Sequence, residues 1–428
     1  MKFDVVVVGA GVGGLVTAAL LSKKGYKVVV LEKTSRVGGR AMVIEKEGFL
    51  LDYGIHMARF GDKGIIAKTM RELGKEVEMI RPGESVLYSE GRFYALPLSA
   101  VAIRTTDYLT DQEKNETLSV LMTALREDPS KYFSTPLSEW MKDKVKSDKV
   151  RRLLRVISGL VLVVPELERA SAGEFIDVIK QAIAAGQGAG YPKGGWKTIF
   201  DNLFSVITES GNEVRTGTEV RRVIVEEGKV RGVEADGEVV EADKVVVAIP
   251  CQDIFSILDE KLFPEDFVKK AKGTVPTAGV SIDLAISEPV VEYSGMIVSE
   301  DPFVMGVVTS NIDESVAPSG KQLATFYMPI PREKFEQEKE NAIKRLEKLI
   351  YEMLPELKDK ILWTRKMTLP MVDGAAPYYH QSRIDRIPVR SDIKGLFFAG
   401  DSYSAPGSGG DIAWYSARLC TEEIIKEE

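Results

Sequence analysis

The chain has 428 residues, 44% of them hydrophobic, and a formal net charge of -7. That length supports a large core and more than one domain, while the acidic balance argues against nucleic acid as a partner, because backbone-binding proteins carry a basic face. Two cysteines, Cys251 and Cys420, give no disulfide framework, and with only two histidines, His56 and His380, a zinc cluster is not expected.

The opening run FDVVVV, Phe3–Val8, reads as a buried parallel strand because it is apolar and β-branched. GAGVGG follows and places Gly9, Gly11 and Gly14 in GxGxxG spacing. The first glycine permits the tight turn, the second lets backbone approach a pyrophosphate, and the third lets helix pack closely on strand. The pattern predicts a helix from Val12 to about Lys24, ended by Gly25, and a second strand Tyr26–Leu31. Glu32 then stands at the carboxyl end of that strand, where a carboxylate can accept both ribose hydroxyls of an adenosine. The spacing alone could mark a purely structural turn. With strand, helix, second strand and terminal acid in place, it predicts a dinucleotide site.

KTSRVGGR comes next and fixes Arg36, Gly38, Gly39 and Arg40 close to the first motif. Adjacent glycines let the chain run flat against a flavin or pyrophosphate, and an arginine can pair with phosphate. The plainer reading is a polar loop leading into a helix. In LDYGIH, Gly54 allows close approach to a ring, and His56 is either an acid–base group or a satisfied core histidine.

MIRPGESVLYSEGRFYALP predicts a small strand pair turning at Gly91, and helical patterns follow in LSVLMTALRED and RRLLRVISGLVLV. The run KYFSTPLSEWMKDKVKSDKVRRLLRVI mixes bases with an apolar face. It suits either ordinary helix packing or a surface that meets a membrane or a hydrophobic substrate. YPKGGW predicts a turn and a helix start at Trp196, and short strands bounded by Gly and acidic turns run from Val220 to the VVVAIP stretch. Further strands are expected near 277–286, 295–299, 303–310 and 322–328, with a charged surface helix near 332–353. Near the end, GLFFAGD is another apolar strand closing on Gly400 and Asp401. SYSAPGSGGDI leads into a last helix whose start, at Gly410, Asp411 and Ile412, offers free N–H groups and a positive dipole end.

The run from GAGVGG through EKTSRVGGR resembles the start of the flavin-containing amine oxidase superfamily. With LDYGIH and GDSYSAPGSGGD, the pattern is closest to its protoporphyrinogen oxidase and phytoene desaturase-like branch. The resemblance implies an α/β protein: a Rossmann-like, glutathione reductase-like FAD-binding domain with an inserted α+β substrate domain. It places the FAD domain at 1–75, 190–255 and 385–428, and the substrate domain at 76–189 and 256–384. It implies Glu32 on the adenosine ribose, and Arg36, Gly38, Gly39 and Arg40 along the cofactor. It puts Gly54 near the ring, the Val220 backbone on the adenine edge, and Gly400 and Asp401 at the pyrophosphate and ribityl region. The two chain ends should meet around one FAD, with strands 3–8 and 396–399 in the same sheet. SYSAPGSGG lacks the cysteine that bonds flavin in the monoamine oxidases, so the FAD is expected to be noncovalent, and Trp414 and Ser416 around Tyr415 leave no evident two-tyrosine amine cage.

The resulting expectation is an oxidoreductase that transfers hydride between an apolar substrate and flavin N5. The bond is CH–CH or CH–N, the substrate prenyl-derived or tetrapyrrole-like, and oxygen or a quinone the candidate acceptor. An amine oxidase and a flavin-dependent double-bond reductase or isomerase are the alternatives; a non-enzymatic flavin-binding protein and an NAD-only dehydrogenase fit less well. His56, Tyr378 and His380 are the candidate acid–base residues, and Trp363, Tyr378, Tyr379 and Trp414 the candidate aromatic lining. The start of the chain does not read as a signal peptide, and no charge-free run of about 18 residues reads as a membrane span. A cytoplasmic protein is the expectation, with peripheral membrane contact and oligomeric state left open.

Overall fold

A computed structural model describes residues 2–54 and 57–427. The first sheet is built around three neighbouring valine-rich strands, two of them buried on both faces and the third, Glu238–Val247, buried so only over its last three residues. Phe3–Val8 pairs in parallel with Val28–Glu32 on one side and with Glu238–Val247 on the other. Glu213–Thr216 extends one edge. On the other side, Leu396–Phe398 pairs in parallel with residues 245–247, while the start of the same long strand pairs antiparallel with Lys229–Ala235, which in turn pairs with Val220–Glu226. Strands 3–8 and 396–398 therefore share one sheet, as the resemblance implies, with Glu238–Val247 between them.

Helix Val12–Lys23 is apolar all round, as a helix buried on every side must be. It packs against helices Trp196–Glu209 and Asp411–Lys426. It ends one residue early, and the second strand starts two residues late, at Val28 rather than Tyr26. The Tyr26 amide donates to the Leu21 carbonyl (3.2 Å), so this residue still closes the helix end and is not free to join the ladder.

The second sheet has seven strands in the order Ile361–Leu369, Ala278–Ile286, Gln322–Ile330, Val304–Val308, Met296–Ser299, Val86–Ser89 and Arg92–Ala95. The last two form the hairpin expected at Gly91. Alternation along the strands separates two cores. Phe326 and Met328 pack with Leu346 and Ile350 of helix Phe335–Met353, whereas Tyr327 points to the opposite face. That opposite face is covered by helices Asp111–Arg126, Asp148–Leu162 and Ala172–Ala185. The first carries a complete capping box between Thr110 and Glu113, and the second starts on Ser147, whose hydroxyl accepts from the Lys149 and Val150 amides. Among the described residues, no helix is long and apolar enough to cross a membrane.

Candidate active site

The three glycines of GAGVGG behave differently. Gly9 has φ +100°, and a Cβ there would meet the Ala248 carbonyl oxygen at 2.9 Å. A Cβ on Gly14 would stand 2.0 Å from the Gly9 carbonyl oxygen, so this glycine lets the helix seat on the turn. Gly11 is the opposite case: nothing lies within 4 Å of where its Cβ would be, and that empty space belongs to a cavity. Gly13, which the motif leaves unspecified, has its own role. A Cβ there would meet the Gly400 amide nitrogen at 2.8 Å, so the first helix and the last strand touch through two glycines. The Gly38 N–H donates to the Ala10 carbonyl (2.8 Å), which brings the GGR turn against the same wall.

Glu32 is buried at the strand end. One carboxylate oxygen accepts the Ala10 N–H (2.8 Å); the other accepts the Thr34 N–H (2.9 Å) and hydroxyl (2.8 Å). The Thr218 N–H donates to the Glu32 carbonyl (2.9 Å), which carries the chain directly to Val220, buried at the start of its strand. Arg36 is exposed. Arg40 reaches across the fold: its guanidinium meets Asp401 Oδ1 at 2.5 Å and donates to the Val372 carbonyl at 2.9 Å. Burial works against its charge, but Asp401, with Asp373 and Asp253, outweighs burial and the pKa is raised. Asp401 Oδ2 accepts the Gly374 N–H (2.8 Å). The Gly400 backbone is held on the last helix by the Ser416 hydroxyl, which accepts its N–H at 2.9 Å.

These elements line one end of a cavity of about 460 Å³. Gly11, Gly38, Arg40, Gly54, Gly400, Asp401, Gly410 and Asp411 all contribute to its wall. Gly9, Gly14, Glu32, Arg36, Gly39, Val220 and Ile412 do not. Ile412 is fully buried, and its amide donates to the Gly409 carbonyl (3.2 Å), so it is not a free donor at the helix start. The opposite end of the cavity is aliphatic, formed by Leu121, Ile157, Leu160, Val178 and Ile179 of the three covering helices, with Met305 and Tyr327 of the second sheet.

Two of the three expected acid–base residues, Tyr378 and His380, stand away from the cavity. Tyr378 is buried in the helix-side core beneath the Arg169 guanidinium, 4.4 Å from its ring centroid, and burial pushes its hydroxyl up to about 12. His380 is exposed, and neither residue lines the cavity. His56 lies outside the described residues. Of the four expected aromatics, only Trp414 lines the cavity. Trp363 instead packs edge-on against Phe49 (5.3 Å) with its indole N–H on Glu47 (3.0 Å). Tyr53, Phe60, Trp196 and Tyr327 take the lining positions.

A carboxylate and an arginine that no motif announces, Asp373 and Arg59, also line the cavity, beside the expected Asp411. Burial raises Asp373 to about 6, helped by the charge of Asp401, and raises Asp411 to about 6 against the pull of Arg59. Cys251 and Cys420 are fully buried and face the core, so among the described residues the cavity wall carries no thiol.

The wall fits a flavin dinucleotide. A side-chain-free strip of backbone lines the cavity at Gly11, Gly38, Gly400 and Gly410, with open space beside Gly11 and Gly410, a cation stands beside it at Arg40, and a strand-end carboxylate stands behind it at Glu32. Comparison with known proteins agrees with that chemistry. The sequence profile described as flavin containing amine oxidoreductase matches residues 12–425. The chain is 26% identical to a zeta-carotene-forming phytoene desaturase of Myxococcus xanthus, over 98% of this chain and 93% of that protein. It is 23% identical to the chloroplastic prolycopene isomerase of Daucus carota, over 100% of this chain and 80% of that one. A crystal structure of an oxidoreductase from Methanosarcina mazei superposes with a TM-score of 0.85 at 24% identity, covering 99% of this chain and 100% of the other. A profile match across nearly the whole length, together with a wall shaped for a flavin dinucleotide, shows that the chain belongs to the flavin containing amine oxidoreductase family and is an FAD-dependent oxidoreductase.

Proposed function

We propose that this oxidoreductase acts on a CH–CH bond of an elongated apolar substrate of prenyl-derived type. The observation that carries the reading is the polarity gradient of the cavity: charged groups and bare backbone at one end, and beyond them a wall of Leu, Ile, Val and Met side chains. The glycine wall is then a Rossmann-like site. Arg40 and the Gly11 and Gly400 backbones lie along the pyrophosphate and ribityl chain, Glu32 stands at the ribose, and Val220 at the adenine edge. Residues 1–75, 190–255 and 385–428 make up the FAD-binding part, and the remainder makes up the substrate part. Bound there, FAD supplies a hydride acceptor. The chain itself binds, orients and excludes water, and the neighbouring carboxylates provide a place for a proton. Similarity to a phytoene desaturase and a prolycopene isomerase supports the substrate class. The second reading is an amine oxidase, favoured by two carboxylates that could face an ammonium group.

The purified protein is expected to be yellow, with about one acid-releasable FAD per chain. Anaerobic phytoene in detergent should bleach it, and primary amines should not. Bleaching by amines alone would transfer the conclusion to the second reading; a colourless protein that takes up no added FAD would sink both.

We also propose that the substrate enters from a bilayer. Leu98 (49% exposed) and Ile183 (51%) line the cavity and also face solvent. Val101 (72%) and Met122 (48%) lie on neighbouring helices that pack against each other, and the Met122 helix packs on the Ile183 helix. The mouth is therefore rimmed by large apolar side chains. Each Val or Ile buried in lipid contributes about 1.5–3 kcal/mol, so the double change Val101→Asp, Ile183→Asp should cut co-sedimentation with vesicles at least about tenfold. Unchanged co-sedimentation would remove the membrane from the proposal.

A further inference from the structure

The segment that leaves strand Ile361–Leu369 passes through the cavity wall before it reaches the first sheet, and it brings Leu369, Val372 and Asp373 to the lining. Asp373 is held firmly there. Its N–H donates to the Thr277 hydroxyl (2.8 Å), which in turn donates to Asp373 Oδ2 (3.0 Å). The Thr277 N–H donates to the Asp373 carbonyl (3.1 Å), and the Val372 N–H to the Thr277 carbonyl (2.8 Å). One carboxylate oxygen is thus fixed, and the orientation of the other follows. Oδ1 has no hydrogen-bond donor among the described residues. It stands 3.6 Å from the point where a Gly409 Cβ would be, and Arg59 Nη2 stands 3.2 Å from the same point. Arg59 is anchored in turn by a bond from Nη1 to the Val161 carbonyl (2.7 Å). A fixed carboxylate and a fixed guanidinium therefore converge over a residue without a side chain, where the polar end of the cavity gives way to the apolar end.

We propose that Asp373 Oδ1 is the proton acceptor for carbon chemistry in this cavity. This rests on the CH–CH reading above. Turning a saturated CH–CH unit into C=C removes two hydrogens from adjacent carbons. One leaves as hydride, with the electron pair of its C–H bond, and FAD, the oxidant, is reduced by that pair. The other leaves as a proton to Asp373, whose carboxylate becomes the carboxylic acid, and the electrons of that second C–H bond become the new π bond. An amine gives its N–H proton to solvent and needs no base at carbon, so this residue also separates the two readings of the cavity.

The surroundings suit the role. Burial and Asp401 raise the carboxyl, the Thr277 hydroxyl and then Arg40 and Arg59 oppose them, and the outcome of about 6 is a stronger base than an ordinary aspartate that is still mainly ionised at pH 7. Asp411 shares the cavity and the direction of shift, but it is the first residue of the last helix, where the dipole favours a resident anion.

The test uses FAD-loaded protein with phytoene in detergent as the probe. Asp373→Asn is expected to keep its FAD and the phytoene-induced change in the flavin spectrum. Its anaerobic bleaching should slow by about 100-fold or more and lose the break near pH 6 expected of the unaltered protein. Formate should restore part of the rate to Asp373→Ala, by taking the vacated place as base. Bleaching of Asp373→Asn within threefold of normal, loss of its flavin, or failure of the formate rescue each overturns the role and leaves the substrate reading standing. If phytoene does not bleach the unaltered protein, the substrate reading fails and this role fails with it.

Discussion

Gly14→Val is expected to yield protein with little bound FAD and a fold weakened by about 3 kcal/mol, near the upper end of ordinary overpacking. The new Cβ would stand 2.0 Å from the Gly9 carbonyl oxygen and 3.1 Å from the Ala248 side chain. The turn cannot yield, because the Gly9 N–H is bonded to the Leu31 carbonyl (2.8 Å) and the Ala248 N–H to the Val8 carbonyl (2.8 Å). Helix Val12–Lys23 must move instead, and Gly13 then leaves its contact with Gly400. One substitution thus parts the two walls that face the cofactor. Gly11→Ala is the contrasting case: its methyl meets nothing within 4 Å in the protein, so the apoprotein should unfold within about 0.5 kcal/mol of normal while FAD uptake falls. Flavin absorbance per chain and denaturant unfolding of the apoprotein check both. A Gly14→Val protein of ordinary stability would show that the helix is not seated through this glycine.

The contrast also indicates which parts of the site can be read from sequence. Glycines whose requirement is set by their own turn or by residues nearby in the chain leave a local signature. The positive φ of Gly9, the contact of Gly14 with Gly9 and the hairpin at Gly91 are of this kind, as are the β-branched runs of the first sheet. The Arg40–Asp401 pair spans 361 positions and the Arg40–Val372 contact 332, and no local pattern encodes either. Gly13 shows the same limit: its constraint comes from Gly400, at the other end of the chain. Two of the three expected acid–base residues stand away from the cavity for a related reason. The side chains of Tyr378 and His380 can do proton chemistry, but residue type says nothing of position. The chain bends so that Asp373, a few positions earlier, faces the cavity while Tyr378 turns into the core. Trp363 likewise alternates to the face of its strand that carries Phe49, away from the cavity.

Asp52→Asn is expected to stabilise the apoprotein, and by more as the pH rises. Asp52 ends strand Phe49–Asp52 and is buried. Oδ2 accepts the Tyr191 hydroxyl (2.9 Å), but Oδ1 is buried with no partner. Burial raises this carboxyl to about 7 from the ordinary 3.8; Tyr191 opposes the shift, Asp283 adds to it, and Arg365 opposes it more weakly. A folded pKa above the unfolded one means that the native state holds the extra proton between those two values. The associated stability is complete below about pH 4 and is lost as the pH rises through 7. Roughly three units correspond to about 4 kcal/mol, so the amide should gain about 4 kcal/mol at pH 8, about 2 at pH 5, and nothing near pH 4. Denaturant unfolding of both proteins at pH 5 and pH 8 measures the difference, and an equal gain at the two values would refute the burial argument. The cofactor should stay bound. Arg365 donates to the Asp52 carbonyl rather than to its carboxylate, pairs with Asp283, and lies 4.8 Å from the ring centroid of Tyr53, which lines the cavity. These contacts survive the change, so the stability lost to a buried charge at Asp52 can be separated from the positioning of the cavity wall beside it.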